Sequence, residues 1–285
     1  MTNGWPQPLQ LIREASLESG AKDRQDDATK AWNFCTALYY KGNQTVPWKL
    51  VRNANKPLIC AVGIAFYRSR DYKTLSTSLA QIFDELGNGL ILRGTPVNMH
   101  KDDLRPYLTE EQAANLLQEA LKEYRIAMGT MPGRLVIHKS SNFKKEEISG
   151  FRDACARHGI TVIDFVTVMD ANLRLSRSGI YPPYRGTRIE LDRRHHLLYS
   201  RGSVAYYETY TGLYIPQPIE IRVVESEESP ETICREILGL TKMNWNNTQF
   251  DGKYPVTLGC ARKVGQILKY LTQEDKPQIG YSYYM

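Results

Sequence analysis

The residues most able to do chemistry are crowded into one short span. From Leu240 the chain reads Leu-Thr-Lys-Met-Asn-Trp-Asn-Asn-Thr-Gln-Phe. Lys242 supplies a point charge, Asn244, Asn246 and Asn247 supply amide donors and acceptors, and Trp245 supplies a stacking face. That mixture suits a sugar–phosphate backbone better than a small apolar ligand. A capped loop leading into a helix accounts for the same residues, and composition alone favours that plainer reading. A second block, residues 171–224, interleaves Arg174, Arg185, Arg188, Arg193, Arg194 and Arg201 with Tyr184, Tyr199, Tyr206 and Tyr210. Cations for phosphates and rings for stacking are what a nucleic-acid groove requires. A solvated β-meander, with Glu190, Asp192 and Glu208 as acidic partners, fits the block equally well.

Composition bounds what these groups can be part of. The chain has 285 residues and a formal net charge of +6, with a 42% hydrophobic share that allows a real core. The mild positive charge points weakly to a polyanionic partner. Cys35, Cys60, Cys155, Cys234 and Cys260 show no CxxC or metal-ligand spacing. They read as reduced thiols of a cytosolic protein. The N-terminus lacks the basic-then-apolar pattern of a secretory signal. No apolar run reaches the ~20 residues of a membrane helix. These features predict a cytoplasmic protein with no membrane association.

The elements that must position the polar groups follow from periodicity. Ala28, Ala31, Trp32, Cys35, Leu38 and Tyr39 predict a helix from Asp26, with Gly42 as a left-handed cap. Residues 58–66 are nearly continuous apolar sequence and read as a central strand buried on both faces. Gly63 within it marks a close backbone approach. Strands over 74–83 and 89–93 follow. Residues 108–128 form the strongest helix, opened by a Thr109-Glu-Glu-Gln capping box. Then come a strand at 134–138, a helix at 142–158 and strands at 159–168 and 219–224. Helices at 230–240 and about 257–270 complete the order. That order predicts an α/β fold, a mixed sheet with helices on its faces. The aromatic end, Gly280-Tyr-Ser-Tyr-Tyr-Met285, is expected to be tucked in.

Three features together resemble the C-terminal half of a prokaryotic Argonaute of the short, PIWI-containing kind. The first is the span from Leu240 to Thr248, with Pro255-Val-Thr257 and the helix that follows. The second is the terminal Tyr-Ser-Tyr-Tyr-Met. The third is Ala37-Leu-Tyr-Tyr-Lys-Gly42 with Val46-Pro-Trp-Lys-Leu50, which resembles the end of a MID domain. The resemblance covers nearly the whole chain from about Pro8. It implies that residues 1–50 are the C-terminal part of a MID domain and a linker. Residues 51–285 would be a PIWI domain with a ribonuclease H-like fold. Most of the MID domain would then lie outside this sequence. Either the sequence is a piece of a longer one, or something else supplies the missing half.

In active members of that family, carboxylates on the first strand, a mobile loop, the fourth strand and the last helix hold two divalent metals that activate water. Hard cations need such oxygen ligands. The resemblance places Ala65 at the first-strand position, Lys139 at the next-strand position and Arg262 on the last helix. Asp84 and Glu85 lie in the region of the loop glutamate without a matching position. Two cations would repel a metal pair, so a PIWI module without a slicing site is expected. Lys139 and Arg262 would instead lie against nucleic-acid phosphates. Asp71, Asp164 and Asp170 are candidate substitutes, each read more simply as a turn or strand-end residue.

The resemblance also implies a guide-binding end. Lys41 falls among the lysines that hold the guide 5′ phosphate, with Asn33 on the same helix. The Met285 carboxylate would help hold an Mg2+ ion at that phosphate. A lysine favoured by the dipole at a helix C-terminus explains Lys41 as well. Lys242, Asn244, Asn246, Asn247, Arg185 and Arg188 complete the expected backbone contacts. The function implied is guide-dependent nucleic-acid binding in prokaryotic antiviral defence, with a guide RNA and a single-stranded DNA target. The implied partner carries a Sir2-like, TIR-like or nuclease effector domain on a segment that replaces the N-terminal half. The alternative is an active guided endonuclease with a divergent metal site.

Overall fold

Apolar side chains point to both sides of residues 59–68, so this strand must lie inside a sheet covered on both faces. The structure, a computed structural model, describes residues 8–14, 26–43, 45–51, 57–68, 75–83, 89–97, 106–176, 178, 182–206, 210, 215–246, 252–270 and 280–284. The strands are β1 (Ile59–Arg68), β2 (Leu75–Phe83), β3 (Gly89–Val97), β4 (Arg134–Lys139), β5 (Val162–Asp170), β6 (Arg188–Glu190), β7 (His195–Leu198) and β8 (Ile219–Glu225). They form one sheet in the order β3-β2-β1-β4-β5-β8-β7-β6. The central β1, β4 and β5 are parallel, and the strands on either side pair antiparallel.

The helices are α1 (Asp27–Asn43), α2 (Glu110–Met128), α3 (Lys145–Arg157), α4 (Pro230–Leu240) and α5 (Val256–Leu268). On one face Cys60, Val62 and Ile64 pack with Leu117 and Leu121 of α2 and Phe151 of α3. On the other face Ala61 and Ala65 pack with Cys260, Ala261 and Val264 of α5. Val166 and Val168 of β5 pack with Ile233 and Ile237 of α4. Each fully buried large aliphatic contributes about 1.5–3 kcal/mol, and such residues hold the sheet from both sides. The predicted α/β class, with helices on both faces, is what the chain adopts.

Local signals acted as expected at α2. The Thr109 hydroxyl accepts from Gln112 N at 3.2 Å, and Gln112 Oε1 accepts from Thr109 N at 3.1 Å. Gly129, at φ 73°, ends the helix. Gly63 also behaves as predicted. A Cβ there would lie 2.4 Å from the carbonyl carbon and oxygen of Thr257, so the first turn of α5 rests directly on strand backbone.

The sequence misleads at α1. Gly42 does not cap the helix, which runs on to Asn43. The apolar stripe is turned outward: Trp32 is 67% exposed, Tyr39 50% and Leu38 43%, and Cys35 is exposed. The buried residues are Thr36, Ala37, Tyr40 and Lys41. Periodicity finds a stripe but does not say what covers it. The short strands β6 and β7 were not delimited within the block at 171–224, because runs of three and four residues are too brief to show alternation.

The Gly63 contact predicts that Gly63→Ala will lower stability by about 1–3 kcal/mol through overpacking. Urea denaturation of the two proteins measures it, with the loss appearing in the midpoint at unchanged slope.

Candidate nucleic-acid interface

The span around Trp245 is built as a joint. After α4 the chain turns through Lys242 N to Gly239 O (3.0 Å) and Met243 N to Leu240 O (3.3 Å). Asn244 Oδ1 accepts from Asn246 N at 3.2 Å, a side-chain turn that Asn makes readily. Trp245 then enters the core with no exposed surface. Its indole N–H donates to Trp48 O at 2.9 Å, and the Trp48 indole N–H donates to Lys242 O at 3.0 Å. Its ring sits 5.3 Å from Tyr40 and 6.4 Å from Tyr281, centroid to centroid. Trp245 is therefore not the stacking face that its surroundings advertised. Lys242 is exposed, and Asn244 and Asn246 are half-buried. Asn247 lies outside the described residues.

The expected guide end is only partly assembled. The Lys41 ammonium donates to Leu9 O at 2.8 Å and to Gln10 Oε1 at 2.7 Å. It is buried, and burial lowers its pKa. Asn33 lies eight residues earlier on α1, about 12 Å along the helix axis, so one phosphate does not reach both. The C-terminal 3-10 turn, Tyr281–Tyr284, does pack beside α1: Tyr281 is 6.3 Å from Tyr40. That brings the chain's end near Lys41, but Met285 itself lies outside the described residues. An ammonium and two amide oxygens already in hydrogen bonds do not fit a magnesium ion, which wants free oxygen ligands.

At the sheet centre the side chains divide by face. In the parallel register Gly63 pairs with His138 and Ile64 with Lys139. His138 Nδ1 lies 3.0 Å from Thr257 Oγ1 of α5. Lys139 faces the other way, and it has no exposed surface. Its ammonium bonds both oxygens of Glu147, at 2.5 and 2.6 Å, and Asn142 O at 3.1 Å. Phe66 and Phe143 flank it, each 5.4 Å from Nζ. Glu147, equally buried, also accepts from Leu108 N and Lys144 N at 2.8 Å each. Lys139 is thus a structural cation tying β4 to the entry of α2 and α3, and the expectation that it meets a phosphate is corrected.

The other basic residues spread over the far side of the sheet. Arg188, on the edge strand, lies 3.3 Å from His196 Nδ1 and 3.5 Å from Glu190. Arg185 Nη2 is 3.4 Å from Thr241 Oγ1, which ties it to the Trp245 turn. Among the tyrosines, Tyr206 is 86% exposed, whereas Tyr199 is buried and accepts from Leu175 N at 2.8 Å. Arg262 lies on α5 with its guanidinium 4.0 Å from the Tyr254 ring centroid.

No family model and no curated protein matches the chain. Solved structures do. A Clostridium butyricum Argonaute bound to a guide DNA and a 19-mer target DNA matches at TM-score 0.75 and 18% identity, over 98% of this chain and 35% of that one. A Marinitoga piezophila Argonaute in complex with a 5′ OH guide RNA matches at 0.61 and 17%, over 89% and 36%. An A. aeolicus Argonaute matches at 0.61 and 19%, over 87% and 33%. The fold is that of an Argonaute. At these identities the likeness establishes the ribonuclease H-like PIWI architecture, and the chain spans about a third of the length of the Argonautes it matches.

In the Argonaute fold, groups that share metals must converge on one face of the sheet. Ala65 faces α5, as does His138. Lys139 pairs with Ile64 and therefore lies on the opposite face of the sheet from Ala65, since a step of one residue reverses the face. Of the candidate substitutes, Asp164 is buried and bonded to Arg134 Nε at 2.6 Å. Asp170 is bonded by Lys253 and Tyr254, and Asp71 lies outside the described residues. Among the described residues no three His, Cys, Asp or Glu side chains gather as a metal site would require. Sequence reasoning missed Lys253 and Tyr254. The run Asp251-Gly-Lys-Tyr-Pro255 carries a cation and a phenol next to each other just before α5.

Two outcomes follow from the buried charges. Lys139→Met leaves Glu147 ionised and buried without its cation, at a cost of about 3–5 kcal/mol. The double variant Lys139→Met/Glu147→Gln recovers most of that loss in chemical denaturation. For His138, burial first and the Arg134 charge second push the pKa from 6.5 down to about 4. The unfolded chain therefore takes up this proton before the folded one does. Stability is unaffected above pH 6.5 and falls between pH 6.5 and about 4, by on the order of 3 kcal/mol. His138→Gln removes this segment of the stability–pH curve.

Proposed function

We propose that this chain holds a guide strand, presents it for base pairing to a target, and does not cut the target itself. The observation that carries the reading is that 98% of the chain superposes on an Argonaute solved with a guide and a target. Sequence discrimination then comes from pairing, and the protein's part is to hold backbone and shape. Exposed cations such as Lys242, Arg193 and Arg194 are suited to that part. The absence of cutting is supported by Ala65 in an apolar cluster, by a His138 kept neutral, and by Asp164 and Asp170 already bonded to cations.

The guide is read as RNA and the target as single-stranded DNA, on the resemblance to the short, PIWI-containing kind. The same resemblance supports a role in antiviral defence in the cytoplasm. It also supports a partner that carries a Sir2-like, TIR-like or nuclease effector domain. The outward apolar stripe of α1 supports a protein partner as well, since patches of this kind mark interaction surfaces.

The test is to sequence the nucleic acid that co-purifies with the chain, then offer the loaded protein complementary single-stranded DNA with Mg2+ or Mn2+. A discrete population of short RNAs and an intact target are expected. No co-purifying strands would overturn the reading. Guide-directed nicking by the chain alone would establish the alternative, an endonuclease with a divergent metal site.

A further inference from the structure

The end of β5, the approach to α5 and Arg262 on α5 meet in one charged cluster. Lys253 Nζ and the Tyr254 hydroxyl both bond the same carboxylate oxygen of Asp170. The Arg262 guanidinium lies 4.0 Å from the Tyr254 ring centroid and makes no hydrogen bond or ion pair with any described residue. Two cations thus face one carboxylate, and one of the cations still has all its donors to offer. The backbone beneath is fixed. Lys253 O accepts from Ser200 Oγ at 2.7 Å. Gly252 passes so close to Thr241 that a Cβ would lie 2.5 Å from its carbonyl oxygen. The Asp170 side chain is 52% exposed and that of Lys253 26%, so both are within reach of solvent.

We propose that Lys253, Tyr254 and Arg262 form a seat for one backbone phosphate, and that Asp170 is its built-in competitor, occupying Lys253 until a phosphate replaces it. This rests on the nucleic-acid-binding reading and adds to it the residues and the regulation of one contact. A guanidinium already stacked on a ring presents its planar fork with little entropy left to lose, and it bonds a phosphate bidentately. A half-exposed pair such as Asp170–Lys253 is worth no more than about 1 kcal/mol, so the exchange is affordable for a polyanion. Burial alone would raise the Asp170 carboxyl. Hydrogen bonds from Lys253 and Tyr254, with the charges of Lys253 and Arg262, hold it below its ordinary value instead. It is therefore an anion at neutral pH, as a competitor must be.

The exchange leaves a signature in salt. In the wild type, phosphate must break the Asp170–Lys253 pair before Lys253 can meet it, and with Asp170 neutralised it does not. The Lys253 contact releases a cation condensed on the single strand in both proteins, so Lys253→Ala flattens the slope of log K against log salt by about 0.7.

The experiment is a salt titration of binding to a 5′-hydroxyl oligothymidine by fluorescence anisotropy. The proteins are the wild type, Asp170→Asn, Lys253→Ala, the double variant and Glu231→Gln. Glu231 is an exposed carboxylate paired with Arg235 on α4. Asp170→Asn is expected to bind about two- to fivefold tighter, the span allowed by a pair worth up to about 1 kcal/mol. That gain disappears when Lys253→Ala is also present, and Glu231→Gln binds as the wild type does. No gain in Asp170→Asn, or a gain that survives undiminished without Lys253, overturns the seat and leaves the wider reading standing. Absence of binding by the wild type at low salt overturns both. Thermal melts check folding, and Asp170→Ser repeats the measurement if the asparagine variant does not fold.

Discussion

The first turn of α5 rests on bare backbone at Gly63, and most of what the centre of this molecule can do follows from that contact. With no Cβ between them, Thr257 sits directly over β1, close enough for its hydroxyl to meet His138 of β4. The neighbours on that face must also be small, and Ala61 and Ala65 are. A close helix–strand contact of this kind leaves little space and no water for an unpaired charge. The polar groups beneath α5 are accordingly neutral or bonded within the protein: His138 is held uncharged by burial and by Arg134. The charged groups, Asp170, Lys253 and Arg262, lie at the rim, where solvent reaches them.

A second constraint fixes α5 from the other end of its approach. Trp245 is enclosed by Tyr40 from α1 and Tyr281 from the C-terminal turn, and its indole is tied to Trp48 O. Aromatic pairs of this sort add about 0.5–1.5 kcal/mol beyond the area they bury. Their larger effect is geometric, because three segments distant in sequence are locked at one point. The turn that carries Lys242 and Asn244 is one of those segments, so its polar groups are placed by the joint and need no ligand to order them. The polarity that makes the span resemble a binding loop and the aromatic ring that makes it a joint are two aspects of one piece of structure.

What the sequence disclosed, and what it withheld, divides along the same line. The strand at 58–66, the Thr109 capping box and the meaning of Gly63 depend on neighbours in the chain or on unbroken hydrophobicity, and all three were legible. Lys139 was misplaced because its role depends on which face of β4 it occupies, and face is set by register against β1. The α1 stripe was legible as a helix, but amphipathicity specifies a direction without saying what lies there, and Trp32, Leu38 and Tyr39 face outward. Trp245 was read as a ligand-facing ring because its polar neighbours were visible and Tyr40 and Tyr281 were not. The Asp170–Lys253–Arg262 cluster joins a strand end to a helix start across a long separation in sequence. No spacing rule reaches that far.

The distribution of charge then decides where nucleic acid can bind. A net charge of +6 does not by itself identify the cations that face a polyanion. Arg134 and Lys139 are removed from the count, the first by Asp164 and Glu236, the second by Glu147, and all three of these ion pairs lie inside the protein or partly so. Moving such a cation to a phosphate would strand a buried carboxylate, at a cost larger than a solvent-exposed phosphate contact returns. The exposed cations carry no such penalty. Lys242 beside the Trp245 joint and Arg193 and Arg194 at the β6–β7 turn are exposed, and Arg262 at the rim of α5 is half-buried. Backbone recognition in this fold therefore belongs to residues that the core leaves over, and the core's own ion pairs serve to keep those residues in place.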